Sequence, residues 1–359
     1  MSLIHADNFS IYGSVGEMTA SGRYAQVGGA SLVSDPDGIS SGSVLRLIGG
    51  FPGATTVRRA LQTPTNKVGM GMRLWMSTLP ADTNQRPTLF FWNDASNRGM
   101  VRVILETTGA LSAQVFDSTV GTFGTWYDLG LTSGPSIGSG IWWQLEAAFD
   151  ASALTLEVRV EGAVKMSFTS SDFGGHLHNG PLIYQCGTST QANYSGFYAD
   201  EYIKDYFWWD GLGTRNNNFM GPCLVAELDP DGDVTKGYWT PSTGTAAWSI
   251  LDNAPADTPY LTGTYPTGAA MEVTQTDLPT TISSVKGIVS LVRAKKTDGG
   301  EGNIQVSMVS GSSASDGIDR AITAAWAYWE DFHELDPATG AAWIPAAVNA
   351  SHMRINRTA

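Results

Sequence analysis

The sequence predicts an all-β protein with two domains. Its 359 residues are more than a typical single domain holds and are comfortable for two. The chain contains 41 Gly and 16 Pro, and several apolar runs alternate with a period of two, which indicates short strands joined by turns. Charged residues make up only 15%, below the roughly 25% usual for soluble domains, and the composition is unlike that of long helices.

The first half of the chain predicts one strand after another. Several apolar and polar residues alternate there, and the runs are separated by the Gly, Asn, Asp and Pro residues that turns require. The strand candidates are 43–48, 67–76, 88–92, 101–105, 111–116 and, closing the domain, 196–208.

Residues 141–168 give the most informative pattern. A strand at 141–150 leads through a short turn to a second alternating strand at 154–160, and a tight turn at Glu161-Gly162 leads to a third strand. This pattern predicts an antiparallel meander with one buried face.

A Gly/Asn-rich link at 210–218 separates the two predicted domains, which are 1–210 and 211–359. After the link we expect a turn at 229–233, followed by shorter strands. Residues 321–329 fit a strand or a short helix, because length does not decide between them. The strand candidates here are 270–273, 285–294, 304–309 and 322–330.

The meander at 141–168 resembles the back sheet of concanavalin-A-like (laminin-G-like) sandwiches. The opening residues 6–13 carry Asp7, Phe9 and Tyr12, and are similar to the "D-x-F-x-x-Y" start of phage-encoded sandwiches of this class. The resemblance implies a concanavalin-A-like, lectin-like jelly-roll sandwich over 1–210, followed by a smaller β-rich domain over 211–359.

Motifs in the second half resemble those of tailed-bacteriophage virion proteins. They are Asn218-Phe219-Met220-Gly221 with 229–233, the pair 247–253 and 256–260, and the closing 335–349 with Asp336-Pro337, Thr339-Gly340 and Trp343. The resemblance implies a structural virion component of the tail (fibre, tip or adaptor) that acts by assembly, with host-surface attachment as a further role. The alternatives are a capsid-surface head fibre or decoration protein, and a lectin module that binds a host glycan.

The resemblance also implies partners and a location. The partners are other virion proteins, a second copy of the chain in a homo-oligomer, and a host surface glycan. We expect synthesis in the bacterial cytoplasm and a final place in the virion. The net charge of -13 disfavours nucleic acid and anionic membranes as partners, and neither a signal peptide nor a membrane-inserting segment is recognised.

No motif predicts an enzyme, a metal site or a cofactor. Gly134 to Gly138 fits G-x-S-x-G but lacks a following helix, and His176 and His178 lie in a turn-rich loop. The acidic run 229–233 fails the calcium-loop spacing, and the adjacent Asp200 and Glu201 would face opposite sides of a strand. A glycan hydrolase therefore ranks below the structural and lectin hypotheses.

The glycan candidates are aromatic and polar residues at predicted strand–loop junctions, where a ring could stack on a sugar. They are Trp92, Asn93, Asp94, Trp126 and Tyr127, and packing in the core is the competing interpretation for each ring. The two cysteines, Cys186 and Cys223, are favoured as reduced thiols, although a single bridge between them also fits the sequence.

Overall fold

The computed structural model is mostly β and divides into two compact units. The first unit comprises residues up to 225, apart from 11–13 and 20–22; the second comprises 226–359 together with those two short pieces. The chain division therefore falls after Val225, beyond the link expected at 210–218. The residues described are 3–38, 43–48, 56–83, 86–96, 98–117, 125–131, 136–174, 182–189, 200–251, 259–263, 270–297 and 299–359.

The first unit contains fifteen of the described strands and one short helix. They are β1 (Leu3–Asp7), α1 (Val15–Ala20), β2 (Gln26–Gly28), β3 (Ala30–Ser34), β4 (Ser43–Leu47), β5 (Thr56–Thr65), β6 (Lys67–Met76), β7 (Thr88–Asn93), β8 (Gly99–Leu105), β9 (Leu111–Asp117), β10 (Thr125–Leu131), β11 (Trp142–Asp150), β12 (Thr155–Val160), β13 (Ala163–Phe168), β14 (Ile183–Ser189) and β15 (Glu201–Asp210).

These strands form two antiparallel sheets, which confirms the predicted jelly-roll sandwich. The eight-stranded sheet has the order β13-β12-β11-β6-β15-β4-β3, with β1 pairing on β15. The seven-stranded sheet has the order β10-β9-β8-β7-β14-β5-β2. Neighbours in the sheets are often distant in sequence, so the fold depends on long-range pairing.

Aromatic and aliphatic side chains from both sheets fill the core between them. Trp92 and Phe90 of the seven-stranded sheet are fully buried, and Trp92 packs on Phe149 of the eight-stranded sheet at a ring-centroid distance of 5.8 Å. The indole Nε1 of Trp92 also donates to the carbonyl oxygen of Val68 at 3.2 Å, which links the two sheets by a hydrogen bond. Burial of a ring this large is a major stabilising contribution.

Two glycines of β6 allow aromatic rings to lie directly on the outer surface of the eight-stranded sheet. A Cβ on Gly69 would sit 2.0 Å from the Trp209 ring, and one on Gly71 would sit 2.1 Å from the Phe207 ring. Any larger residue at either position would displace the ring, so the Gly-x-Gly spacing is a packing requirement.

The predicted meander is confirmed. Strands β11, β12 and β13 pair in antiparallel order, with Glu161 and Gly162 at the second turn. Both turn residues have positive φ, 50° for Glu161 and 77° for Gly162, as a two-residue hairpin that follows the strand twist requires.

The N-terminal motif organises a buried polar cluster. Asp7 accepts hydrogen bonds from Arg23 at 2.8 Å, from the Tyr24 hydroxyl at 2.8 Å and from the backbone amide of Phe9 at 2.8 Å. Phe9 adopts a φ of 67° and is fully buried. The motif therefore combines a satisfied buried carboxylate with an aromatic anchor.

Two buried carboxylates hold the segment 211–225 to the first unit. Glu146 accepts the backbone amides of Met220 at 2.8 Å and Gly221 at 3.1 Å, and Asp205 accepts the amide of Val225 at 2.8 Å. Desolvation raises the pKa of both carboxyl groups, against the lowering effect of these amides. The segment thus belongs to the first unit.

The second unit contains ten described strands and two short helices. They are β16 (Pro230–Thr235), β17 (Trp239–Pro241), α2 (Trp248–Leu251), β18 (Leu261–Gly263), β19 (Ala270–Gln275), β20 (Ile288–Ala294), β21 (Asn303–Ser310), β22 (Ser313–Asp316), β23 (Arg320–Ala321), β24 (Ala327–His333), α3 (Pro345–Asn349) and β25 (His352–Arg357). A six-stranded sheet, β16-β19-β25-β21-β22 with β23 on β21, accompanies two strand pairs, β17-β18 and β20-β24.

Two predictions for the second half are wrong in part. The turn expected at 229–233 lies largely within β16, where Asp233 accepts the amides of Ala247 and Trp248 at 2.9 and 2.8 Å. The segment 321–329 forms no helix, and only its last residues enter β24. In both places long-range pairing overrides the local preference.

The closing motif contains a turn. Asp336 accepts the Ala338 amide at 3.0 Å and the Thr339 hydroxyl at 2.9 Å, while Gly340 has a φ of 68°. Trp343 is buried and donates from Nε1 to the carbonyl of His333 at 2.9 Å. The motif therefore fastens the end of the chain to strand β24.

The two cysteines do not form a disulfide bridge. Cys186 is fully buried, and burial raises its pKa, whereas Cys223 is half-buried with its sulfur 3.7 Å from the Met220 carbonyl. Under native conditions we expect iodoacetamide to modify Cys223 and to leave Cys186 unmodified, as read by peptide mass spectrometry. Equal modification of both would contradict the burial of Cys186.

Glu201 gives a pH prediction for the first unit. It is buried, its Oε2 has no hydrogen-bond partner among the described residues, and desolvation and the neighbouring Asp200 raise its pKa well above 4.5. The folded state therefore binds more protons than the unfolded state above pH 4.5, so this group lowers stability as pH rises through its folded pKa.

Glu201→Gln should raise the melting temperature at neutral pH and flatten its decline between acidic and neutral pH, because no charge remains to be buried. Thermal unfolding across this range measures both effects. The exposed Glu301→Gln is the matched control and should keep the wild-type slope. An unchanged slope in Glu201→Gln would show that this carboxyl does not set the pH dependence.

Candidate functional site

One line of side chains crosses every strand of the seven-stranded sheet on its outer face. The strand register places these residues opposite one another in sequence, while their neighbours Val101, Val103 and Val115 point into the core. We call this line the outer row. From β10 to β2 it consists of Asp128, Gln114, Arg102, Phe91, Gly187, Arg58 and Gln26.

Arg102 lies at one end of a chain of hydrogen bonds in the outer row. Its Nε and Nη2 donate to the Gln114 Oε1 at 2.8 and 2.6 Å. The Gln114 Nε2 in turn donates to the Asp128 carboxylate at 2.5 Å. Because Asp128 fixes the amide of Gln114, the amide oxygen is oriented toward the guanidinium.

Trp126 supports the same guanidinium from the side. The Arg102 Cζ lies 4.1 Å from the centroid of the Trp126 ring, within the range of a cation–π contact. A Cβ on Gly99 would lie 2.7 Å from this ring, so the glycine provides the space that the ring occupies. Phe116 packs against Trp126 edge-on at 5.2 Å. The result is a fixed, planar cation on a half-buried surface.

The charge of Arg102 is poorly compensated. Burial lowers its pKa to about 10, with a further lowering by Arg86 and a smaller opposite effect from Asp128. Arg86 itself pairs with Glu106 at 2.9 Å. Within the described ranges no carboxylate lies in ion-pair contact with Arg102, which is unusual for an arginine on a largely desolvated surface.

A second row runs beside the outer row on the same face. It contains Trp126, Phe116, Asn93, Gln185 and Ala60. The Gln185 Oε1 is buried and has no hydrogen-bond partner among the described residues. An unsatisfied buried amide oxygen costs free energy, which a hydrogen-bond donor that reached it would offset.

Gly187 interrupts the side chains of the outer row. A Cβ at this position would lie 2.2 Å from the carbonyl oxygen of Val57, so the close approach of β14 and β5 requires glycine. Consequently no outer-row side chain stands between Phe91 and Arg58, and Gly187 itself is buried.

The structure separates the five glycan candidates. Asn93 and Trp126 lie on the outer face, together with the rows described above. Trp92 is fully buried in the core and cannot stack on a sugar, so its prediction as a glycan-binding residue is wrong. Asp94 is buried and caps its own turn by accepting the amides of Ser96 and Arg98 at 2.9 Å. Tyr127 lies opposite the core-facing Val115 of β9 and is therefore on the inner side of β10.

Sequence reasoning missed Arg102, Gln114 and Gln185. An arginine within the alternating apolar run 101–105 must face outward, so the available signal was its position in a strand. Many charged residues that only confer solubility occupy the same kind of outward-facing strand position. The register that places Arg102 between Gln114 and Phe91 is needed to single it out.

Other candidate motifs have structural roles where they are described. Ser136 and Ile137 lie in irregular backbone before β11, which fits a loop; Gly134 of the same motif, like His176 and His178, falls outside the described residues. Glu201 is buried, while Asp200 on the opposite side pairs with Arg46 at 2.6 Å. Within the described part of the chain no cluster of His, Cys, Asp and Glu residues fits a metal ion, and no helix has the length and apolarity to cross a bilayer.

No protein-family model and no curated protein matches this sequence. Several solved structures align with part of this chain at low identity. A sialidase aligns with a TM-score of 0.38 and 13% identity over 58% of this chain and 18% of its own. The binding domain of Paraclostridial Mosquitocidal Protein 1 aligns with a TM-score of 0.36 and 14% identity over 51% of this chain and 43% of its own.

Alginate lyase A1-II′ gives a TM-score of 0.35 and 14% identity, over 49% of this chain and 82% of the lyase. The chain thus spans less than half of the sialidase and of the toxin binding domain that it matches. Overlaps this partial, at identities this low, say nothing about what this chain binds.

The two tryptophans selected from sequence should respond differently to truncation. Trp92→Ala removes a fully buried ring and an inter-sheet hydrogen bond, so we expect a loss of about 3–5 kcal/mol of unfolding free energy. Trp126→Ala, at a half-buried surface position, should lose clearly less. Urea denaturation of both variants measures the difference, and equal losses would contradict the assignment of Trp126 to the outer face.

Proposed function

We propose that this chain is a non-enzymatic attachment protein whose first unit binds glycans through the outer face of the seven-stranded sheet. The observation that carries the proposal is the outer row, in which amides, guanidinium groups and an aromatic ring cross all seven strands. Sugar rings need flat apolar contacts and several hydrogen-bonding groups in fixed positions, and this face offers both.

The dimensions of the outer row suit an extended oligosaccharide. Six inter-strand spacings separate β10 from β2, which corresponds to roughly 29 Å at about 4.8 Å per spacing. Polar side chains lie on both sides of the single aromatic ring of this row, Phe91. A ligand that lies across the strands would therefore meet a side chain from every strand except β14, which contributes Gly187.

The side chains of the outer row favour binding over catalysis. Glycoside hydrolysis ordinarily uses two carboxyl groups, roughly 5–10 Å apart, on either side of the scissile bond. The outer row contains a single carboxylate, Asp128, and that group is already engaged by Gln114. A hydrolase is therefore the less favoured alternative for this face.

The setting of this attachment function is a tailed-phage virion, with the tail favoured over the capsid surface. Support comes from the sequence motifs of the second half, which resemble those of tailed-bacteriophage virion proteins. The second unit would supply contacts to other virion proteins and to further copies of the chain.

Immunogold electron microscopy of phage particles, with antibody to the first unit, tests the setting. Gold at tail fibres or the tail tip is the expected result. Gold on the head would favour the capsid alternative. Particles that carry no label, from cells in which the protein is detected, would contradict a surface-exposed virion protein.

Binding itself is tested on a glycan array with the full chain and a double variant, Asn93→Ala with Gln185→Ala. We expect the wild-type chain to bind a defined subset of glycans and the variant to bind the same subset at least about tenfold more weakly, because at least two hydrogen-bonding groups are removed.

The matched control for this experiment is Lys165→Gln on β13 of the other sheet, which should bind as the wild type does. Reducing-sugar release is followed on the same glycans. A chain that binds no glycan would overturn the proposal, and release of reducing sugar would replace attachment by hydrolysis.

A further inference from the structure

No carboxylate among the described residues forms an ion pair with Arg102, which lies on a half-buried surface. Its nearest hydrogen-bond acceptor is the neutral amide oxygen of Gln114. Asp128 lies one residue further along the outer row and bonds to the amide nitrogen of Gln114 instead. Proteins rarely leave a largely desolvated arginine in this condition, because the desolvation of the guanidinium is then only partly offset.

The guanidinium also retains donors. A guanidinium carries five N–H groups in a rigid fork, and Gln114 occupies the Nε side together with Nη2. Among the described residues no acceptor contacts Nη1. Trp126 covers one face of the plane at 4.1 Å and so holds the fork in a fixed orientation. A planar anion could therefore approach the remaining edge without rearrangement of the site.

We infer that Arg102 recognises a carboxylate on the bound glycan, so that the ligand is an acidic oligosaccharide containing uronic or sialic acid residues. This inference rests on the glycan-binding function proposed for the outer face. A carboxylate is planar and accepts paired hydrogen bonds from a guanidinium, which matches the donors that Arg102 leaves open.

The distribution of charge on the outer row supports this ligand class. The chain as a whole carries a net charge of -13 and would repel a polyanion. The outer row nevertheless contains two arginines, Arg102 and Arg58, three strand positions apart, or about 14 Å at the usual inter-strand spacing.

Gln114 explains how the charge of Arg102 stays available. A glutamate at 114 would pair with the guanidinium inside the protein and remove the need for an external anion. The glutamine orients the fork without neutralising it, because its own amide is fixed by Asp128. The order Asp128–Gln114–Arg102 thus keeps the carboxylate one position away from the cation.

This arrangement allows a charge-conserving test. The double variant Gln114→Glu with Asp128→Asn exchanges the carboxylate and the amide, and keeps both the net charge and the number of hydrogen-bonding groups. The carboxylate then faces Arg102 directly. We expect this variant to lose its preference for acidic glycans, just as Arg102→Gln should.

The measurement compares glycans that differ only in the carboxylate. The probes are oligogalacturonate against its methyl ester, and sialyllactose against lactose, on an array that also carries neutral and sulfated glycans. The wild-type chain should bind at least one acidic member about 10- to 100-fold more tightly than its neutral counterpart. In Arg102→Gln and in the exchange variant this ratio should fall to near one, whereas Lys165→Gln should keep it.

The outcomes separate this inference from the proposed function. Binding restricted to neutral glycans, or to sulfated ones, would overturn the carboxylate assignment and leave glycan binding in place. An acid preference that survives in Arg102→Gln would overturn the role of Arg102. The absence of binding to every glycan would overturn both. If Arg102→Gln unfolds, as judged by its melting temperature, the exchange variant decides.

Discussion

The contact on which the rest of the first unit depends joins two glycines of β6 to two aromatic rings of β15. Trp209 and Phe207 can lie flat on the sheet only because Gly69 and Gly71 carry no side chain. The Trp209 indole then donates to Glu146 at 3.2 Å, and Glu146 in turn holds the backbone at 220–221. A packing requirement in one strand thus determines where the chain leaves the sandwich.

The same strand also ties the two sheets together. The residues of β6 that alternate with its glycines, Met70 and Met72, are buried in the core, and the carbonyl of Val68 accepts the hydrogen bond of Trp92. The inner face of the seven-stranded sheet is thereby committed to packing. Its outer face does not contribute to this core. Polar residues such as Gln114 and Arg102 can therefore occupy the outer face without loss of core volume.

The sequence predicts the elements in which local and long-range preferences agree. Strands β11 to β13 alternate cleanly and have a Glu-Gly turn with the required positive φ, so their pattern is sufficient. The sequence pattern does not predict β1, because two of its inward-facing residues, His5 and Asp7, are polar. Hydrogen bonds satisfy these two buried side chains. An alternation rule based on apolar residues cannot detect such a strand.

In the candidate site too, the sequence predicts some positions and misplaces others. An aromatic or amide residue at a predicted strand end is the criterion that selects Trp126 and Asn93, which lie on the outer face. The same criterion also selects Trp92, which is a core residue. Period two gives the face of a residue only after the first inward residue is known. The bulge in β7 between Thr88 and Phe90 shifts the alternation of inward and outward residues, and a single sequence does not reveal this bulge.

In the second unit, the buried His333 shows how the closing motif and the strands reinforce each other. Its ring contacts the Ser290 and Ser315 hydroxyls at 2.9 and 3.0 Å, and burial lowers its pKa to about 4, so the ring is neutral near pH 7. The His333 carbonyl accepts the Trp343 indole. One residue therefore connects strand β24 with β20, β22 and the end of the chain.

The outer row also has an evolutionary consequence. Each strand contributes one residue to it, and each such residue lies on the side of the sheet opposite the core. Under the proposed function, substitution along the row would change what the face recognises while the inner packing and the strand register are preserved. A protein that must follow a changing molecular surface on another organism would gain from this separation, because variants of the row are drawn from sequences that still fold.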